Sequence, residues 1–203
     1  MKSNFLHKLW MYFRHQQYER IIKSAEPFLR KYSKPDADFF KILALAYDQS
    51  ALLIKNKKQR AKRQEKARAN FRVMLQYPSS SVGGYHGLGL VALHQGHLNK
   101  ALRFYTKAYQ IDSQNSFTFI SLGNVYKAMG KYEEAMKWYR KYLTHPEISL
   151  TAFINIALMY DQRGKRAFAR RYAKKALKIM GKKKQDKGSE ALKERLKKLA
   201  LGY

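Results

Sequence analysis

The sequence predicts an all-α chain, a solenoid of about five repeated helical units closed by a C-terminal helix. The first observation is a fixed period of 34 residues. Laid over 82–115, the stretch 116–149 places Gly123 on Gly89, Gly130 on Gly96, Ala135 on Ala101 and Tyr139 on Tyr105. A further step of 34 places Ala157, Tyr160, Gly164 and Ala169 on Gly123, Tyr126, Gly130 and Ala135. Such self-similarity marks units that bury too little alone and stabilise one another by stacking. The second observation is local. Ala135, Tyr139 and Leu143 recur every four residues, the spacing of one helix face.

The units run 82–115, 116–149 and 150–183 without a gap. In the middle unit Gly130 falls in a turn, where a positive φ is easy for glycine. Gly123 and Ala135 are expected to be small because two helices cross closely there. Tyr126 and Tyr139 are expected to fill the space between neighbouring units. Upstream, 37–81 carries Phe40, Leu43, Ala44 and Tyr47, then Ala67, Phe71 and Met74. The first unit, 2–36, is degenerate: it keeps Phe5, Leu9 and Tyr12, but Lys8 stands where Leu is expected. Pro27 falls inside its second helix and is expected to kink it. Residues 189–200 read as a capping helix, with Ser189 at its start and Leu192, Leu196 and Leu199 in one stripe.

These positions resemble the tetratricopeptide-repeat family, whose 34-residue unit is a helix–turn–helix. The family's first-helix pattern is met by Phe119, Leu122, Gly123 and Tyr126, and its second by Ala135 and Tyr139, with Tyr142 where Ala is usual. The unit before offers Tyr85, Leu88, Gly89, Ala101, Tyr105 and Ala108. The last offers Phe153, Ile156, Ala157, Tyr160, Ala169, Ala173 and Ala176. The resemblance implies a right-handed α-solenoid with residues 1–203 as a single domain. It also implies that each unit's first helix lines a concave groove holding a peptide. The groove places are then Asp38, Lys41, Ile42 and Leu45; Gly83, His86, Gly87 and Leu90; Phe117, Ile120, Ser121 and Asn124; and Thr151, Ile154, Asn155 and Leu158. Some family members clamp a C-terminal carboxylate with Lys, Asn and Arg on three successive units. Only Asn124 and Asn155 match here, and Ile120 replaces the first Lys, so that clamp is rejected. Asn124 and Asn155 are still expected to hold a peptide backbone, since an amide both donates and accepts. Gly83 and Gly87 are expected to admit a close-lying ligand, with a frayed helix start as the other explanation for Gly83.

The chain departs from its repeat in two places. Between Tyr47 and Ala67 lie 19 residues where later units have eight, a surplus of about three helical turns. The expectation is a helical hairpin that projects beyond its neighbours, its tip touching no neighbouring unit. Its tip is Lys55-Asn56-Lys57-Lys58, and its second arm bears Arg60, Lys62, Arg63, Lys66 and Arg68. Residues 51–75 hold nine basic side chains and one acid. Residues 163–187 hold twelve and one. There Ala169, Ala173 and Ala176 mark a buried stripe, so Arg166, Arg170, Arg171, Lys174, Lys175 and Lys178 face outward, followed by Lys182, Lys183 and Lys184. Solvated helix faces usually mix signs. Two blocks this one-sided, in a chain of net charge +28, point to an anionic partner.

Several classes are set aside. There is no cysteine, so disulfide scaffolds and cysteine-held metal are excluded. No run of 18 apolar residues exists to span a membrane. The N-terminal stretch lacks a signal peptide's uninterrupted apolar core, so a cytoplasmic protein is the default. "GGYHGLG" follows no strand and lacks Gly-Lys-Ser/Thr, so it is no phosphate loop. His86, His94 and His97 lack a carboxylate at ligand spacing, and no nucleophile–base pair emerges. The expectation is therefore a non-catalytic adaptor with no cofactor, metal or small-molecule substrate. It would hold a protein or peptide segment in the groove and an anionic partner on its basic surfaces. One alternative is an RNA- or ribosome-associated protein using the basic hairpin and the basic last unit. Another is a peripheral membrane scaffold using Phe5, Leu6, Leu9, Trp10 and Phe13 against an anionic bilayer.

Overall fold

The computed structural model describes residues 2–31, 35–144, 149–181 and 190–201. Among them the regular structure is eleven α-helices and one 3-10 turn, with no strand. The chain forms two compact units, Met1–Gln114 and Asn115–Tyr203. The first holds α1 (Lys2–Arg14), α2 (Tyr18–Lys31), α3 (Ala37–Leu52), α4 (Lys57–Met74), the 3-10 turn Pro78–Ser80, α5 (Ser81–His94) and α6 (Leu98–Ile111). The second holds α7 (Ser116–Ala128), α8 (Tyr132–Tyr142), α9 (Ser149–Gln162), α10 (Arg166–Met180) and α11 (Glu190–Leu201). Helices pack as successive pairs, α3 with α4, α5 with α6, α7 with α8 and α9 with α10.

One turn recurs at four of the five pair junctions. Gly96, Gly130 and Gly164 adopt φ of +75°, +73° and +67°. Each is followed by an amide that closes back on the preceding helix: His97 donates to the Ala92 carbonyl, Lys131 to Tyr126 and Lys165 to Tyr160, all at 2.9 Å. This left-handed C-terminal cap satisfies carbonyls that would otherwise be orphaned. The α1–α2 junction closes the same way, with Gln17 donating to Tyr12 at 2.9 Å, but its left-handed residue is Gln16 at φ +56°. The degenerate first unit thus keeps the turn geometry without the glycine that relieves it.

Packing within the pairs follows a small-against-large rule. A Cβ built on Gly123 would stand 2.4 Å from the Tyr139 ring, and one on Gly89 would stand 2.7 Å from Tyr105. Both rings are essentially inaccessible to solvent. Tyr139 therefore packs onto its own pair's first helix, rather than only filling space between units as the sequence suggested. In the first pair the sizes are exchanged, since Leu9 and Ala25 occupy the matching places and both are buried in one core. α2 runs unbroken as a helix through Pro27, which is exposed. α11 lays Leu196 and Ala200 into a core with Ala157, Ala173, Ala176 and Met180, flanked by Leu192 and Leu199. Ser189, expected to cap it, lies outside the described residues.

The α3–α4 pair is the exception. Its helices have 16 and 18 residues against 14 and 14 in α5 and α6, so the extra residues lengthen both arms. Its turn has no left-handed glycine. Instead the Asn56 side chain caps α4, accepting from the Gln59 amide at 3.0 Å. Arg60 donates through Nε and Nη2 to the Ile54 carbonyl at 2.9 and 2.8 Å. Two polar side chains replace a backbone conformation. Phe71 of α4 reaches the next pair, where a Cβ on Gly87 would stand 2.2 Å from its ring. Asp48 of α3 is fully buried, and its Oδ2 meets His94 Nδ1 of α5 at 2.8 Å.

Candidate binding surfaces

The basic hairpin divides by what its side chains touch. Lys55, Lys57, Lys58 and Lys62 are exposed, and none has an ion-pair partner among the described residues. Arg60 is held at the turn as described above. Arg63 pairs with Glu19 of α2 at 3.0 Å and lies over the Tyr47 ring, which Lys66 also approaches. Gln64, buried, accepts from Gln95, just past the end of α5, at 3.2 Å. Arg68 pairs with Glu65, and Arg72 lies 3.9 Å from the same carboxylate. Within the insertion, Arg63 and Gln64 thus reach neighbouring repeats through Glu19 and Gln95. α4 packs against α3 and α5 and reaches α2 through the Arg63–Glu19 pair, while Lys55, Lys57, Lys58 and Lys62 stand exposed.

α10 is organised differently. Ala169, Ala173 and Ala176 are buried, as their spacing implied. Arg166, Arg170, Arg171, Lys174, Lys175 and Lys178 are all exposed. Arg170 donates to the Ala200 carbonyl at 3.0 Å, tying α10 to the end of α11. Lys175 lies over the Phe153 and Tyr172 rings at 5.4 and 5.5 Å from their centroids. Arg166, Arg171, Lys174 and Lys178 have no partner among the described residues. Lys182, Lys183 and Lys184 lie outside those residues.

The expected groove places sort unevenly. In the first unit Lys41 and Asp38 are exposed and Leu45, His86 and Leu90 half-buried, but Ile42 is fully buried. His86 meets the Tyr105 ring edge-on at 5.0 Å. Gly83, Gly84 and Gly87 face α4, where a Cβ would approach Met74 at 3.3 Å, Leu75 at 2.7 Å and Phe71 at 2.2 Å. The expectation that Gly83 and Gly87 make room for a ligand is overturned, because the protein's own helix occupies that room. The sequence signal was present in Phe71, Met74 and Leu75, which share one face of α4 with three glycines opposite. In the second unit Phe117 is 63% exposed, while Ile120 and Ser121 are buried. Thr151 is exposed, and Ile154 and Leu158 are half-buried.

The two asparagines are already engaged. Asn124 Oδ1 accepts from the Tyr139 hydroxyl at 2.8 Å. Burial pushes that hydroxyl's pKa well above the ordinary tyrosine value, so it stays a donor. Asn155 Oδ1 accepts from Lys127 Nζ at 3.4 Å, and burial lowers the Lys127 pKa. In each amide the oxygen serves the fold. The apolar N-terminal cluster is engaged too. Leu9 is buried, Phe5 stacks on Phe28 at 4.4 Å, and Leu6, Trp10 and Phe13 pack against the same core. Among the described residues no group of His, Asp and Glu is placed to hold a metal ion, and no helix is long and apolar enough to cross a membrane.

Comparison with known proteins places this geometry. Residues 82–115, 118–144 and 149–182 each match a tetratricopeptide repeat. No curated protein matches the chain significantly by sequence. Among solved structures, a thermophilic protein of the same repeat class from Thermus thermophilus is 18% identical over 99% of this chain and 100% of its own, with a TM-score of 0.78. BtubC from P. vanneervenii is 18% identical over 92% of this chain and 82% of its own, at 0.63. MamA is 20% identical over 85% and 94%, at 0.60. At these identities the likeness is one of fold.

Proposed function

The chain belongs to the tetratricopeptide-repeat family, and on that premise we propose a non-catalytic scaffold for protein–protein contact whose unengaged cations bind an acidic protein partner. One observation carries the reading: Arg166, Arg171, Lys174 and Lys178 stand exposed on α10 without a carboxylate, although nearby cations of α10 are used by the fold. A row of uncompensated charge raises the local concentration of an oppositely charged partner and speeds its encounter. Within the second compact unit, the half-buried apolar places Ile154 and Leu158, with exposed Phe117, supply contact for a peptide segment. The partner is read as protein because aromatic side chains here mostly serve the core, which leaves few stacking platforms for bases.

The test is a titration of labelled poly-glutamate against the full chain and against the variant R166Q/R171Q/K174Q/K178Q. The expected result is about a tenfold loss of affinity with helicity unchanged. Equal binding by both proteins overturns the reading. Tighter binding of a single-stranded RNA of equal charge, with a steep log–log salt dependence, replaces the protein partner with RNA.

A further inference from the structure

A second basic site lies in the first compact unit, where two arginines of the basic α4 meet cations of α6 that form no cluster along the sequence. Between α4 and α6, above α5, is a cavity of about 300 Å³. Its floor is apolar, formed by Leu88 and Ala92 of α5 and Phe104 of α6. Its rim is cationic, with Arg68 and Arg72 from α4 facing Lys100, Arg103 and Lys107 from α6. The α6 cations fall at i, i+3 and i+7, one helix face. In sequence the two rows lie some thirty residues apart, and the stretch 76–115 holds only three basic residues, so no window along the chain reveals the cluster. Folding makes it.

Charge compensation at the rim is incomplete. Glu65 serves Arg68 and Arg72 together. Lys100 and Arg103 have no partner among the described residues, and Lys107 reaches only the Tyr85 ring at 5.9 Å. α5 and α6 carry no acidic residue at all. The Nε of Arg68 is enclosed and makes no hydrogen bond, a donor left unmatched, which is unfavourable in the free protein.

We propose that this cavity binds an acidic peptide segment. One large apolar side chain sits on Leu88, Ala92 and Phe104, and flanking carboxylates lie on the cations of α4 and α6. The floor decides the class. A phosphate chain alone satisfies the rim and leaves the apolar floor unfilled. A stacked base needs an open aromatic face, and Phe104 is half-buried against the core. An apolar anchor in a pocket with charges at its edge is the arrangement that concentrates binding energy in peptide recognition. The site uses neither the α10 cations nor the first-helix faces, so it stands or falls separately from the reading above.

The probe is a short fluorescein-labelled peptide of Glu and Asp flanking a single Phe, titrated into the full chain by anisotropy. Two control peptides replace Phe by Ala, or every acid by its amide. Losing the Phe should weaken binding about tenfold, and the amide peptide should not bind measurably. The variant R103Q/K107Q, with both positions exposed, should weaken the Phe peptide about tenfold and leave helicity intact. If that pair disturbs folding, Arg103→Gln alone decides by the same criterion. The variant R166Q/R171Q/K174Q/K178Q should bind this peptide as the parent does. The proposal is overturned if the Phe and Ala peptides bind equally, which is diffuse attraction. It is overturned also if R103Q/K107Q binds like the parent, or if a thymidine oligonucleotide of equal charge displaces the peptide and loses affinity in the same variant.

Discussion

α4 and α10 are the two most basic helices among the described residues, and the fold engages their charge to different degrees. In α4, Arg60 closes the turn, Arg63 holds α2, Lys66 lies on Tyr47, and Arg68 and Arg72 share Glu65. In α10, Arg170 and Lys175 are similarly occupied, but Arg166, Arg171, Lys174 and Lys178 meet only solvent. The charge counts of the two stretches do not distinguish them. What distinguishes them is register. α4 lies in the middle of its unit with neighbours on both sides, so most of its cations find a carbonyl, ring or carboxylate. α10 spends its alanines on the core and turns a full row outward. A cation's neighbours, not its membership in a cluster, decide whether it is available to a partner.

The comparison breaks most visibly at Arg60. Arg60→Ala removes two charged donors from the Ile54 carbonyl and should lower stability by about 1.5–3 kcal/mol, read as a shift in urea midpoint. An unchanged midpoint would make α4's arginines as dispensable as those of α10. Next is Gly87→Ala, which sets a Cβ against the Phe71 ring. Overpacking of about 1–3 kcal/mol is offset by roughly 1 kcal/mol of helix propensity. A small net loss in chemical denaturation is expected, where propensity alone predicts a gain. Asn56→Ala removes the α4 cap, for about 1 kcal/mol. The smallest effects are on α10: Lys174→Ala and Arg171→Ala should each stay within about 0.5 kcal/mol of the parent while reducing poly-glutamate affinity.

Much of the fold was legible because the repeat writes itself in small residues. Gly123 opposite Tyr139 and the three left-handed glycines follow from steric demands that allow few substitutes. The alanine stripe of α10 was legible for the same reason. The candidate surfaces were less so. Gly83 and Gly87 have the same composition whether a ligand or α4 fills their space, and only the placement of Phe71, Met74 and Leu75 settles it. Asn124 reads as an exposed groove amide until the Tyr139 hydroxyl, 15 residues away, is seen to use its oxygen. Gln16 occupies a glycine's conformation with no mark in the sequence beyond its register. The α4–α6 cavity joins cations that are distant along the chain, so no local charge window finds it.

Mass-spectrometric footprinting of lysines by acetylation, on the full chain with and without saturating poly-glutamate, tests the partition of cations most directly. Protection should concentrate at Lys174 and Lys178 of α10 and at Lys57, Lys58 and Lys62 of the hairpin, where no intramolecular partner competes. Equally strong protection at Lys66 and Lys175, which are exposed but already lie on aromatic rings, would contradict the account and leave the charge as a general solvating field.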